Sequence, residues 1–376
     1  MLSSLAGNNY PTITQLKENI WKMAFQDSLF DPSFLLGGIA YLDIATDIRG
    51  KAAAGFETTL TDPWGRLLSY TLLSGLDGGV STTLSSVTEL SNFTSHSVPF
   101  PIITALGAKA WKGECSPGLN ATTYEFTPFD FGSWDSDVSA FTPTHYLGTS
   151  MKAGVPIGSC TTNYDNLGYI LGTSSNHFNE ICSNSLALGN SFGNLANRLA
   201  TFIQKAATSG LYATYRNPFY QYASSTASPN IANNVSAQEH LGLVDGGEAF
   251  QNNPIFPLLV PARNVSVILV NDNSADARSF PNGSELLTTY VQSFNHGYTR
   301  MPLIPSVEAF ISEGLNKRAT FFGCNDQSKV TIVYLPNNNY TFASNTGTFQ
   351  LEYPEWETDA MIANGVEITT QGGKAE

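Results

Sequence analysis

The stretch His240–Leu259, HLGLVDGGEAFQNNPIFPLL, decides how the rest of the chain is read. Its opening residues, HLGLV (240–244), form an apolar run of the kind that makes a buried strand. Asp245 ends that run, Gly246 and Gly247 follow, and amides and prolines close the stretch. In an open sheet flanked by helices, ligands bind beyond the carboxyl ends of the strands, where HLGLV would place the Asp245 carboxylate. Glycines lack a Cβ, so Gly246 and Gly247 admit unusual backbone angles and let a second segment approach closely. A carboxylate held there can take up a proton or orient a nucleophile. The plainer alternative is a turn aspartate, because D-G is a common turn signal.

Outward from this stretch, helical and strand patterns alternate. TITQLKENIWKM (12–23), with a threonine cap, and DPWGRLLSYTLL (62–73) read as helices, as do NLANRLATFIQKAA (194–207), SELLTTYVQSF (284–294) and SVEAFISEGLNKR (306–318). VPFPIITALGA (98–108), YEFTPFDFG (124–132), NVSVILV (264–270) and KVTIVYLP (329–336) read as strands. Residues 208–239 read as an irregular excursion, and ITTQGGKAE (368–376) as a tail without structure of its own. Strands separated by helices imply an α/β sheet with helices on its faces and loop insertions. With no repeat and no clean boundary, one domain over 1–376 is the simplest organisation.

The composition narrows the function. At 376 residues, with 42% hydrophobic and 12% aromatic residues, the chain can bury a substantial core. Charged residues make up only 13%, about half the usual share, and the net charge is −13. Phosphate-backbone binders need clustered Lys and Arg, so nucleic acid is excluded as a partner. No apolar run approaches the roughly 20 residues of a spanning helix. No signal peptide follows Met1, yet N-x-S/T acceptors occur at Asn92, Asn120, Asn234, Asn264, Asn282 and Asn339, the mark of a secretory glycoprotein.

The remaining chemistry-bearing residues are scattered. Cys115, Cys160, Cys182 and Cys324 permit three disulfide connectivities and show no zinc spacing, so neither metal nor cofactor is expected. The second D-G-G, Asp77–Gly79, follows a helix and reads as a C-terminal cap and turn. Gly189–Gly193, GNSFG, is a formal nucleophile elbow, and Ser191, Asp245 and His296 stand in the chain order of an α/β-hydrolase triad. The apolar run before Ser191 is too short for a central strand. The five histidines show no pairing motif, and none is assigned a catalytic role. Asp272 and Asp276 read as hydrated loop acids facing the same crevice, and Arg263 as a counter-charge for a phosphate.

At LVDGGEAFQNNPIFPLLVPARNVSVILV the chain resembles the fungal lysophospholipase (phospholipase B) family, related to the cytosolic phospholipases A. The likeness continues through AGFETTLTDPWGRLLSY, YEFTPFDFGSWDSDVSAFTPTHYLGT and LGYILGTSSNHFNEI, in the same order. The resemblance implies a patatin-like α/β fold and a Ser–Asp dyad without histidine, acting on lysophospholipids or glycerophospholipids at a membrane or micelle surface. Asp245 matches the dyad aspartate, Asn252 and Pro254 the amide–proline step after it, and Arg263 a basic position beyond. The family's nucleophile lies in G-x-S-G-G, and its oxyanion glycines and arginine lie earlier still.

None of those upstream motifs occurs in this sequence. Its opening, MLSSLAGNNYPTITQL, is similar to the segment just after the elbow. The expectation is therefore a lysophospholipase catalytic domain shortened at both ends, lacking its nucleophile and inactive as it stands. Its full-length form would be extracellular or associated with the wall or membrane. The alternatives are the Ser191–Asp245–His296 esterase and a non-enzymatic lipid-binding relative.

Overall fold

The computed structural model describes residues 2–26, 39–75, 77–109, 112–183, 199, 208–222, 234–347 and 350–373. The chain packs as two compact units, Met1–Pro117 with Ala121–Gly246 and Gly247–Glu376 with Gly118–Asn120. The division falls inside the D-G-G step, between Gly246 and Gly247.

In the first unit α1 spans Leu2–Gly7. A continuous helical run follows through Ile13–Leu16, Lys17–Trp21 and Lys22–Gln26. The expected threonine cap is real: the Thr12 hydroxyl accepts the Gln15 N–H while the Gln15 side chain accepts the Thr12 N–H. Three longer or more central helices come next, α2 (Ile39–Ala53), α3 (Thr61–Leu72) and α4 (Leu167–Thr173).

The strands of this unit are β1 (Ile103–Ala108), β2 (Thr123–Phe126), β3 (Asp130–Ser133), β4 (Ala140–Pro143), the short pair β5 (Met151–Lys152) and β6 (Val155–Pro156), β7 (Ala213–Arg216) and β8 (His240–Asp245). Six of them form one sheet in the order β4-β3-β2-β1-β8-β7, with every pair antiparallel. The helix-separated pattern does not describe this half. β1 to β4 follow one another with no α-helix between them among the described residues, and short connections make antiparallel neighbours.

YEFTPFDFG is accordingly two strands rather than one. Pro128 supplies no N–H to a ladder, and the Thr127 hydroxyl accepts the N–H groups of Phe129 and Asp130 to close a turn. Prolines at 99 and 101 likewise delay β1 to Ile103. β7 lies within the region read as irregular, and 194–207 falls outside the described residues except for Leu199, which is helical and buried.

The contact between α3 and α4 is unusually close, and glycine makes it so. A Cβ on Gly65 would stand 2.6 Å from the Gly168 carbonyl oxygen, and one on Gly172 would stand 2.8 Å from the Gly65 Cα. Behind this crossing Arg66 gathers the chain: its guanidinium pairs with Asp47 at 3.0 Å and donates to the carbonyls of Asp77 and Gly78. The second D-G-G is thus the turn its position after a helix implied, with Gly78 and Gly79 at positive φ. On the sheet, Tyr124, Phe131 and Tyr215 stack at 5.5 and 6.1 Å within one buried aromatic core.

The second unit fits the alternating pattern better. β9 (Val267–Asp272) leads through α5 (Ser284–Asn295) and α6 (Val307–Ser312) to β10 (Thr320–Phe322) and β11 (Thr331–Pro336). β11 pairs with β9 in parallel and with β10 antiparallel. Ile268, Val270, Leu286, Phe310, Ile332 and Tyr334 form its core. The tail read as structureless starts inside a helix, α7 (Glu355–Thr370). No described helix is long and apolar enough to cross a membrane. Cys115 and Cys182 are bonded, whereas Cys160 and Cys324 are free and exposed.

The glycine crossing carries a test of sign. Gly65→Ala gains about 1 kcal/mol of helix propensity but drives a methyl into a backbone oxygen, which costs about 1–3 kcal/mol. The clash is with backbone, so the cost falls towards its upper end and the variant loses up to about 2 kcal/mol net in urea unfolding. Gly365→Ala, on α7 with nothing within 4 Å of the new methyl, gains stability instead.

Candidate active site

Asp245 is the last residue of β8, an inner strand whose register against β1 sets Ala105 opposite it. Its backbone N–H leaves the ladder and donates to the Asn176 carbonyl at 3.1 Å. Asn176 is fully buried, and its side-chain amide donates to the carbonyls of Leu211 and Leu243. The turn after α4 is therefore pinned to the end of β8.

That turn delivers a partner the sequence did not reveal. His177 Nε2 lies 2.9 Å from Asp245 Oδ2, and His177 Nδ1 lies 3.5 Å from Glu180 Oε1. The imidazole and the Asp245 carboxylate are 23% and 21% exposed, so both reach solvent without being fully hydrated. His177 sits in LGYILGTSSNHFNEI, far from Asp245 in the chain. Only the folding of α4 onto the sheet brings them together. No pairing motif in the sequence marks this contact.

Gly246 acts by closeness, not by unusual dihedrals. It is not among the positive-φ glycines, but a Cβ there would come within 3.1 Å of the Thr104 hydroxyl on β1. Gly247 follows it in the one-turn 3-10 segment Gly246–Ala249.

The other expected site residues have their own local settings in the second unit. Asn252 donates from its backbone N–H and from its side-chain amide to the two oxygens of Glu285. Arg263 donates to the Pro257 carbonyl at 2.9 Å. His296 caps α5 and stacks on Tyr298 with Phe256 beside it. Ser191 lies outside the described residues. The histidine that reaches Asp245 is His177.

Asp272 is not a hydrated loop acid. It is fully buried at the end of β9, where it accepts the Tyr334 hydroxyl at 2.6 Å and the Ser274 hydroxyl and N–H. Asp276, half-buried, accepts the Asn282 N–H, and its carboxyl is raised mainly by burial. Burial likewise pushes Glu285 up to about 7, with Asp276 and Asp272 adding to the rise against the opposing Asn252 hydrogen bond. Among the described residues no group of His, Cys, Asp and Glu is arranged to hold a metal. Of the sequon asparagines, Asn120, Asn234, Asn264 and Asn339 are exposed, whereas Asn92 and Asn282 are partly buried.

The model of the lysophospholipase catalytic domain family matches residues 1–376. The chain belongs to that family. It is 39% identical over 396 aligned residues to lysophospholipase 1 of Aspergillus fumigatus, covering 99% of this chain and 61% of that protein. A lysophospholipase of Arthroderma benhamiae is also 39% identical, over 98% of this chain and 59% of its own length. The chain thus spans about three-fifths of the length of these relatives. Among solved structures, human GIVD cytosolic phospholipase A2 superposes with a TM-score of 0.76 at 16% identity, over 99% of this chain and 55% of that one. The fold is the patatin-like α/β arrangement that the family resemblance implied.

The burial of Glu285 makes stability depend on pH. A carboxyl held at about 7 in the fold against an ordinary 4.5 favours the folded state most below pH 4.5, and that contribution is lost as pH rises through 7. After discounting for partial exposure, the loss is on the order of 2 kcal/mol. Glu285→Gln flattens this segment of the stability–pH curve. An unchanged slope between pH 5 and 8 in urea titrations of the variant would show that the carboxyl is not the source.

Proposed function

We propose that this chain carries the aspartate half of a Ser–Asp dyad that hydrolyses acyl esters of lysophospholipids. The observation that carries the reading is Asp245. It occupies the D-G-G step of the family stretch, ends an inner strand, and is held by backbone and imidazole contacts from the turn after α4. In this scheme a serine attacks the acyl carbon as Asp245 takes its proton. The proton then passes to the leaving alcohol, and water releases the fatty acid from the acyl-enzyme. The serine belongs to the family's G-x-S-G-G motif, which does not occur in these 376 residues. On this reading the chain is inactive alone.

The substrate class follows from the names of the relatives, which are lysophospholipases. Such substrates are presented at a micelle or membrane surface. One catalytic domain over 1–376 is the organisation supported by a family match that runs through both compact units. The four exposed sequons support a secretory, glycosylated protein outside the cell or at its wall.

Lysophosphatidylcholine hydrolysis by this chain and by a form extended with a G-x-S-G-G segment ahead of residue 1 tests the proposal. The extended form turns over, the short form does not, and Asp245→Asn in the extended form lowers kcat by about 10³-fold. Equal turnover by both forms refutes it. Expression through a secretory route gives a mass that drops on enzymatic deglycosylation and is unaffected by Asn282→Gln. It drops less when Asn120, Asn234, Asn264 and Asn339 are replaced together by Gln.

A further inference from the structure

The dyad chemistry proposed above uses Asp245 but gives no task to the histidine hydrogen-bonded to it. We propose that His177 is a positioning residue for Asp245: its Nε2–H donates to the Asp245 carboxylate and fixes the rotation of that group. The inference rests on the Ser–Asp reading for its catalytic consequence, but not for its geometry.

The argument begins with the ring. A neutral imidazole has one N–H and one acceptor nitrogen, whereas an ionised carboxylate only accepts. His177 places Nε2 at 2.9 Å from Asp245 Oδ2 on β8 and Nδ1 at 3.5 Å from Glu180 Oε1 on the 3-10 segment Phe178–Ser183. Nε2 at this distance carries its proton and donates it to Asp245 Oδ2, an interaction a neutral ring already supplies.

The ring's support is rigid. On one side Asn176 is buried and tied to Leu211, Leu243 and the Asp245 N–H. On the other, Phe178 is 1% exposed, its N–H donates to Asn176 Oδ1, and its ring meets the Trp64 edge at 6.3 Å. An imidazole held this way can transmit orientation to the carboxylate it touches. A terminal aspartate without it would rotate about its Cβ–Cγ bond, and misplacement of a reacting group on the ångström scale lowers rate steeply.

The first arm of the test needs no activity. With ¹³C-labelled imidazoles, the five histidines are followed by NMR, and His177 is assigned by its loss in His177→Gln. Its ring resonances move on Asp245→Asn, an isosteric change at the 2.9 Å contact, and move less on Glu180→Gln at 3.5 Å. His177 resonances that Asp245→Asn leaves in place overturn the proposal.

The second arm uses the G-x-S-G-G-extended protein. His177→Leu loses about tenfold in kcat with KM held, and His177→Gln, whose amide can reach the Nε2 position, recovers most of the loss at equal thermal stability. An unchanged kcat in His177→Leu, or a loss that follows stability and is not rescued by Gln, also overturns it. If the extended parent hydrolyses no lysophospholipid, the dyad reading falls while the resonance shifts still decide the placement of His177.

Discussion

The bare-backbone crossing of α3 and α4 is the constraint on which the rest of the first unit depends. Gly65 faces Gly168 and Gly172 so closely that a methyl at any of them meets backbone or a packed side chain within 3 Å. Glycine is a poor helix former, so these residues give up helix propensity to obtain the approach. What they gain is dispersion contact along two buried helices. They also gain a fixed position for everything attached to α4. The helix is capped by Asn166, whose side chain accepts the Tyr169 N–H, and its far end runs directly into Ser174, Ser175 and Asn176. Ser174 then bonds the Thr104 carbonyl on β1, and the Trp64 indole on α3 bonds the Ser175 hydroxyl. A shift in the crossing would carry the turn, and with it His177, away from Asp245.

The same logic explains why Asp245 can bear a function although it is a strand-end aspartate in a D-G-G turn. A turn aspartate commonly spends its carboxylate on the next N–H groups of its own loop, as Asp77 does with Gly79. Asp245 instead has its backbone N–H taken by Asn176 and its carboxylate met by an imidazole from a different element. The two D-G-G steps are alike in letters and opposite in use. The difference lies in what precedes them: a helix end that needs capping in one case and an inner strand in the other.

Much of this was legible because it was local. The capping box at Thr12, the helices at 61–72 and 284–295, the strand ending at Asp245 and the strands β9 and β11 each follow from residues within one turn or one pleat of each other. The errors have a common cause as well. YEFTPFDFG looked like one strand because its aromatic residues continue across a proline turn. β7 was hidden because four residues of strand sit in a Ser- and Asn-rich surround. Asp272 looked solvated because its partner, the Tyr334 hydroxyl, comes from β11, beyond two intervening helices. His177 was the largest omission. Periodicity carries no information about which helix end meets which strand end. The role given to Asp245 itself came from family likeness, not from patterning.

Burial among acids gives this fold a pH dependence that follows from packing. Glu285 is held up at about 7 and favours the fold when protonated. The composition adds a second contribution of the same sign. A net charge of −13 means that self-repulsion falls as carboxylates take up protons, which lowers the cost of the compact state. The opposing effect, protonation of carboxylates that are well hydrogen-bonded, begins only near their ordinary range around 4. Between that limit and neutrality the electrostatics of this chain favour the folded form as pH falls, so mildly acidic solution is the condition under which the fold is best kept.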